Sequence, residues 1–442
     1  MTLWSPEYRI KANGTDVTGI SLVGFTITKG RTDINSFSPP GYCRLDLINF
    51  ENDDYPFTVN TSITIEVKKS NGTYVFLFGG RISDISTQVQ SAGSSTNFTS
   101  ISITALGLTS RLNRATYSGT LSEDLDGAQI LDLLLAALTE TWTSVPPSET
   151  WASYDNEDTW LNAAAGVGEV DTGLYTMRSQ TLSSVYVGNV ANDIAQSAGG
   201  FIYEDNQGRV CYADGDHRVA QLLGIGRWEN VTNTLIWNNY DPLIAWEDVS
   251  TVGGYTDFDA RQAYASGIAS VTRQGDVVNK FTINHGNNFT SSHTSEDLES
   301  QANFGLYAQA FDSYMKNSAD VSDFADRIIS LRSYPFSRFA SITFPIQSPE
   351  IDDADRDALL GIDASLPIRI TNLPNNIQGG QFEGFVEGWT WRSTVNGLSL
   401  TLTASPTAFS AISQRWEQVN AAEQWNTIST AIEWEYAIGV IS

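Results

Sequence analysis

Phe382-Glu-Gly384-Phe385-Val386-Glu-Gly-Trp389 is the stretch on which the fold turns, because the chain carries it twice. The other copy reads Phe78-Gly-Gly80-Arg81-Ile82-Ser-Asp-Ile85. Both fit Phe-x-Gly-x-(Ile/Val)-x-x-(aromatic or aliphatic). The flanks repeat as well. Ile63-Thr-Ile65-Glu-Val67 precedes the first copy and Leu366-Pro-Ile368-Arg-Ile370 the second. Ile101-Ser-Ile103-Thr-Ala105-Leu106 follows the first and Leu398-Ser-Leu400-Thr-Leu402-Thr the second. Alternation at period two buries one face of a strand. Gly80 and Gly384 have no Cβ, so each marks a bulge, a sharp bend or a close backbone approach. The order strand, turn, Phe-x-Gly strand, turn, strand predicts one physical unit used twice. The plainer alternative is that two hairpins of a β-rich chain look alike.

Working outward, 442 residues exceed one compact core, so two to four domains are expected. Hydrophobic residues make up 41%, enough for a folded chain, while only 17% are charged, which favours β-rich surfaces over long surface helices. The net charge is −26 and the pI about 4.3. Such a chain lacks the clustered Lys and Arg that grip nucleic-acid phosphates. Its acidity keeps it soluble, and would also repel DNA passing along it. Cys43 and Cys211 supply neither a disulfide framework nor zinc spacing. Met1-Thr-Leu-Trp-Ser-Pro-Glu-Tyr-Arg has no basic and apolar regions of a signal peptide, so none is expected. No apolar run approaches the roughly 20 residues of a membrane helix.

Residues 1–117 are expected to form the first β-barrel or sandwich. Val23-Gly-Phe25-Thr-Ile27-Thr alternates, Cys43-Arg-Leu45-Asp-Leu47-Ile48 is a further strand, and Asn71-Gly72 is a hairpin turn. Residues 118–246 predict a smaller α+β middle region. Asp126 is placed as a helix cap with Gln129 three residues on, ahead of Ile130, Leu131, Leu133, Leu134, Leu135 and Leu138. An irregular insertion is expected over 144–179. A second helix over Val190–Ala198 stops at Gly199-Gly200, and Phe201–Tyr203 with Val210–Tyr212 makes a hairpin. Residues 247–406 predict the second β-barrel or sandwich. Its strands include Ile268–Val271, Val277–Ile283 and Phe339–Phe344. A helical insertion over about 300–332 carries Val321, Phe324, Ala325, Ile328 and Ile329 on one face behind Asp320. Arg332, Arg338 and Arg369 cluster near this unit. Residues 407–442 are a Trp-rich C-terminal extension, with Trp416, Trp425 and Trp434 nine apart, as are Trp142, Trp151 and Trp160. A nine-residue step changes face in both helix and strand, so this spacing suits short repeated units.

No catalytic, cofactor-binding or metal-binding residue is assigned. His217, His285 and His293 lack metal spacing. His217 follows Asp214-Gly-Asp216, which as a loop could touch a cation but is expected to be a solvated turn. His285 is expected at a strand edge or turn, and His293 in a polar loop without a partner. Gly166-Val-Gly168 with Gly173 has the wrong spacing for a dinucleotide fingerprint. Acid pairs such as Asp352-Asp353 are too common among 51 acids to mark a glycosidase.

In order along the chain, these motifs resemble tail hub proteins of tailed bacteriophages. The first unit supplies Phe25-Thr-Ile27-Thr-Lys-Gly-Arg31, Gly41-Tyr-Cys43-Arg-Leu45-Asp-Leu-Ile-Asn49, Phe78-Gly-Gly-Arg-Ile82-Ser-Asp84-Ile85 and Ile103-Thr-Ala105-Leu-Gly107-Leu-Thr-Ser-Arg111-Leu112. The second supplies Arg332-Ser-Tyr-Pro335, Leu373-Pro374, Phe382-Glu-Gly384 and Leu400-Thr-Leu402-Thr-Ala-Ser405-Pro406. Ala198-Gly199-Gly200 and Gly208 are similar to the family's intermediate domain. The resemblance covers most of residues 1–406. It implies two tail-tube-like β domains per chain, related by duplication, and a homotrimer whose barrels form a pseudo-sixfold ring. It further implies a virion component of the tail tip, a minor tail or baseplate protein assembled in the host cytoplasm. Implied partners are the tail tube or distal tail ring, the tape-measure protein and tip fibres, with DNA passing through an acidic lumen. Some relatives carry a C-terminal peptidase or lysozyme, for which no room is expected here. The alternative from the twelve tryptophans is a carbohydrate-binding or carbohydrate-cleaving β protein. An outer-membrane porin is disfavoured by the expected helices.

Overall fold

The computed structural model describes residues 4–34, 36–52, 54–90, 98–138, 167–218, 255–264, 267–395 and 397–410. The first unit comprises β1 (Tyr8–Ala12), β2 (Thr15–Asp16), β3 (Ser21–Gly30), β4 (Tyr42–Asn49), β5 (Ser62–Lys68), β6 (Tyr74–Gln90) and β7 (Phe98–Leu106). Asn71-Gly72 turns β5 into β6, with Gly72 at φ 88°.

The middle holds β8 (Thr116–Leu121), β9 (Asp124–Leu125), α1 (Asp126–Leu138), β10 (Val167–Val170), β11 (Thr176–Met177), β12 (Gln180–Tyr186), α2 (Val187–Ser197), β13 (Phe201–Glu204) and β14 (Val210–Ala213). Then follow β15 (Thr256–Asp259) and β16 (Ile268–Thr272). An excursion carries β17 (Lys280–His285), β18 (Ser291–Glu296), α3 (Leu298–Phe304), β19 (Ala308–Asp312) and α4 (Ser318–Arg332). The second unit resumes with β20 (Ser337–Pro345), α5 (Asp353–Leu360), β21 (Pro367–Thr371), β22 (Phe382–Thr394) and β23 (Gly397–Pro406). No helix among the described residues is long and apolar enough to cross a membrane.

The duplication is visible strand by strand. The first unit is ordered β3-β4-β7-β6-β5-β1 and the second β16-β20-β23-β22-β21-β15. Registers coincide: Ile63 opposes Gly80 and Ile65 opposes Phe78, while Ile368 opposes Gly384 and Ile370 opposes Phe382. The bulges coincide as well. β6 breaks register against β7 between Ile82 and Asp84, and β22 against β23 between Val386 and Gly388. A bulge adds one residue and sharpens the local twist, so Ser83 and Glu387 are equivalent bulge residues. One difference is that β1 runs antiparallel to β5, whereas β15 runs parallel to β21.

The two units share one sheet. β22 pairs antiparallel with β3, from Gly388 opposite Gly30 to Ser393 opposite Phe25, and fuses both into one 13-stranded sheet. One continuous apolar core runs beneath it, from Phe25, Leu45 and Ile103 to Phe344, Trp391 and Leu402.

A second core lies in the middle region, around Leu133, Ile194, Tyr212, Ile283 and Phe324. The excursion contributes to it. Its β strands form a separate sheet ordered β18-β17-β19, so it begins before residue 300 and Val277-Val278 precede rather than join β17. α2 ends as its sequence dictates, with Gly199 left-handed at φ 72°. Most of the 144–179 insertion and all but the first four residues of 407–442 lie outside the described residues.

Candidate assembly surface

The Phe-x-Gly motif works by close packing. A Cβ on Gly80 would meet the Phe78 ring at 2.7 Å and the Leu106 carbonyl oxygen at 2.6 Å. On Gly384 it would meet the Phe382 ring at 2.6 Å and the Ser405 carbonyl oxygen at 2.1 Å. In each copy the phenylalanine ring folds over the glycine two residues on, and the neighbouring strand closes the other side. Of the bulge, bend or close backbone approach that the sequence allowed at these glycines, the structure shows the close approach, by ring-over-backbone packing in both units.

The face of the sheet away from the core is paved with small hydroxyls. On it stand Thr26 and Thr28, Ser102 and Thr104, Thr390, and Thr401 and Thr403, all exposed or half-buried, while their strand neighbours Ile27, Ile103, Trp391 and Leu402 are buried. Thr28 and Thr390 hydroxyls meet across the seam at 3.3 Å, and Thr343 and Thr401 at 3.0 Å. Charges along these central strands are of both signs: Arg44 and Asp46 pair at 3.5 Å, and Arg392 and Asp84 are exposed. Among the described residues such a face has hydrogen-bonding capacity but no cluster of cations to hold phosphates.

Behind the seam a buried ionic node ties three parts of the chain together. Arg218, at the end of the described middle segment, donates through Nη1 and Nη2 to the two Glu387 oxygens, each at 2.8 Å. Arg31, just after β3, donates to Glu387 Oε2 at 2.6 Å. Ser405 donates to Glu387 too. Arg31 stacks on the Phe201 ring at 3.9 Å. Burial alone would raise the Glu387 carboxyl, but the Arg218 and Arg31 charges and the hydrogen bonds outweigh it and hold it well below the usual carboxylate range. Arg31 is itself lowered, because burial, with Arg218 beside it, outweighs the Glu387 attraction. The planar, five-donor guanidinium suits this shared, desolvated carboxylate. A cleft of about 190 Å³ opens beside the node, walled by Arg31, Arg218, Arg327 and Arg332. All four are engaged, Arg327 with Asp216 and Arg332 with the Asp276 carbonyl, so the cleft is a structural junction.

A second buried carboxylate docks the middle hairpin on the first unit. Glu204 accepts from the Gly41 and Thr109 amides at 2.9 and 2.7 Å, and from the Thr109 hydroxyl. Burial raises its carboxyl above the ordinary value, against the pull of Lys29. Lys29 donates to the Asp205 carbonyl at 2.5 Å. The β13–β14 turn presses on the motif itself: a Cβ on Gly79 would lie 1.8 Å from the Gln207 carbonyl oxygen.

Several sequence expectations change here. Asp126 does not cap its own helix. It accepts from the Leu174 and Tyr175 amides, both at 2.8 Å, and from the Tyr212 hydroxyl, and burial raises it to about 6. Gln129 donates to the Ser122 and Arg178 carbonyls instead of closing a capping box. His217 is no solvated turn; it is largely buried, with Nδ1 2.8 Å from Asp171. Asp214 beside it is pushed up to about 7 by burial and then by Asp171. Of the edge or turn expected for His285, the edge is excluded: it is the buried last residue of the central strand of its sheet, directly before the turn at Gly286. His293 lies on β18, 3.4 Å from the Ser322 hydroxyl. Arg332 and Arg338 both face Asp276, but Arg369 stands apart on Asp257. Among the described residues no group of His, Cys, Asp and Glu could hold a metal ion. The described tryptophans do not form a sugar platform: Trp389 and Trp391 are core, and Trp4 is half-buried beneath Arg356. The two nine-residue Trp series lie outside the described residues. Sequence reading missed the Arg31–Glu387–Arg218 node, whose signal was charge at positions otherwise patterned for a core.

No protein-family model matches the sequence, and neither does any curated protein. Solved structures match in fold. The 43 kDa tail protein of prophage MuSo2 from Shewanella oneidensis aligns with a TM-score of 0.52 at 11% identity, over 92% of this chain and 99% of its own. The tail protein from Neisseria meningitidis MC58 aligns with a TM-score of 0.50 at 10% identity, again over 92% and 99%. The chain therefore shares, along nearly its whole described length, the mainly β fold of phage tail proteins.

Proposed function

We propose that the chain is a structural, non-enzymatic hub at the tip of a phage tail. Three copies close into a ring of six similar β units, continuing the tail tube or docking on its distal ring. The observation that carries this reading is the seam. Two duplicated units lie side by side in one sheet, as adjacent members of a ring would, so three chains offer a hexameric tube six near-equivalent faces. The hydroxyl-paved face lines the lumen. DNA passes without sticking because that face lacks a cationic cluster and the chain carries −26 overall. The tape-measure end, the distal tail ring and the tip fibres are its partners in the virion, with assembly in the host cytoplasm. Native mass spectrometry of the purified chain tests the proposal. A species of three 48.3 kDa chains supports it; a monomer at micromolar concentration contradicts it.

A further inference from the structure

The seam inside the chain is a template for a seam between chains. It joins the outer edge of β22, residues 388–393, to the edge of β3, residues 25–30. In the first unit the equivalent of that β22 edge is β6 from Asp84 to Val89, as the shared registers and bulges fix. Along this stretch β6 pairs with β7 only, since β5 leaves it at Arg81. In the second unit the equivalent of β3 is β16, which pairs with β20 only. Among the described residues neither edge pairs with a further strand, and apart from the Arg273 carbonyl, which accepts from the Asp276 amide, no other backbone partner occupies it, which is a template for strand addition. They sit toward the two ends of one sheet, so a single chain cannot join them.

We infer that β6 of one copy pairs antiparallel with β16 of a second copy, in the register the internal seam dictates. Transferring that register places Asp84 opposite Arg273, Ile85 opposite Thr272, Ser86 opposite Val271, Thr87 opposite Ser270, Gln88 opposite Ala269 and Val89 opposite Ile268. The side chains agree with it. Asp84 and Arg273 are both exposed and opposite in charge. Val89, 60% exposed, meets Ile268, which is only half-buried in its own unit. Ser86 and Val271 fall on the hydroxyl-paved face, as Thr390 and Thr28 do at the internal seam. The glycine line is retained in part: Gly24, which leaves no room for a Cβ beside the Ser393 carbonyl, corresponds to Gly267. Gly388 and Gly30 correspond to Asp84 and Arg273, so an ion pair replaces a close backbone approach at that end. Opposite-charge and apolar pairs facing each other across strands each stabilise a sheet.

This inference rests on the ring reading, and cysteine cross-linking of the full chain separates the two. Ser86→Cys with Val271→Cys and Thr87→Cys with Ser270→Cys place thiols directly opposite. Successive opposed pairs alternate in spacing, so one of the two suits a disulfide. Native Cys43 and Cys211 are buried. Ser86→Cys with Ala269→Cys is the off-register control, at a diagonal distance of about 7–8 Å. Mild oxidation should convert most of at least one in-register variant into covalent dimer and trimer with nothing larger, and leave the control uncross-linked. A trimer by native mass that cross-links only in the control, or not at all, overturns the register and leaves the ring standing. A monomer by native mass overturns both. A ladder beyond trimer overturns the closed arrangement. For variants that fold poorly, charge reversal reads the same pair: Asp84→Arg or Arg273→Asp alone should raise the half-assembly concentration about tenfold, and the two together should restore it. Equal losses in the single and double variants would overturn the pairing.

Discussion

The first and second β units agree almost contact for contact around Gly80 and Gly384, yet they diverge at the bulge three residues on. In the first unit the bulge residue is Ser83, half-buried, whose hydroxyl donates to the Thr104 carbonyl at 3.1 Å. In the second it is Glu387, fully enclosed by Arg31, Arg218 and Ser405. The core needs the bend in both places, so the bend is kept in both. What the bulged side chain does depends on what lies behind it. Behind Glu387 stand Arg31, from just after β3 of the other unit, and the middle segment; Ser83 has no such junction to hold. The duplicated frame is thus governed by packing, and the asymmetry by where the middle module attaches. Gly79 and Glu383 repeat the lesson: the first yields to the β13–β14 turn, while the second keeps a side chain.

The two units should differ most at the bulge. Glu387→Gln strips two buried guanidiniums of their counter-charge and should cost about 3–5 kcal/mol in urea denaturation. Ser83→Ala should cost about 1 kcal/mol or less. Equal losses at the two positions would end the claim that only one of them is a junction. The glycines come next. Gly384→Ala drives a Cβ to 2.1 Å from the Ser405 carbonyl oxygen, against 2.6 Å from Leu106 for Gly80→Ala. Losses of about 3 and about 1–2 kcal/mol are expected, with Gly384 the more sensitive.

The smallest effect is on pH dependence, where three buried aspartates oppose Glu387. Asp126, Asp214 and Asp363 have native values of about 6, 7 and 7, raised from 3.8 chiefly by burial, with Asp171 adding at Asp214 and Asp205 at Asp363. Raised carboxyls favour the folded state as they protonate, so acidification from pH 8 towards 5 should stabilise the chain. Glu387 is depressed, so its contribution is present above its ordinary value of 4.5 and is lost as the pH falls below that. Tm should therefore peak near about pH 5, a few degrees above its value at pH 8. A Tm that climbs steadily from pH 4 to 8 would show that the buried aspartates do not dominate.

Much of the frame was legible because period-two alternation and a repeated glycine are local signals. Ile63–Val67 and Leu366–Ile370 share the same alternation, and the structure pairs them in the same register against Phe78–Gly80 and Phe382–Gly384. The fusion of the units was not legible, because nothing in Phe25–Gly30 or Gly388–Ser393 says that they face each other. Nor were the roles of Asp126 and His217, since a side chain's partner 40 or more residues away leaves no mark on local spacing. Val277–Ile283 reads as a strand of the second unit by pattern, but its residues pack with α4 in the middle core, and only tertiary context decides between the two.

In the proposed ring, two duplicated units side by side make up one third of the circle. Electron microscopy of the purified chain, averaged without imposed symmetry, tests it most directly. End-on views should show threefold symmetry, six similar densities and an open centre. A single asymmetric particle, or a threefold particle whose first and second units lie in different rings, would contradict it.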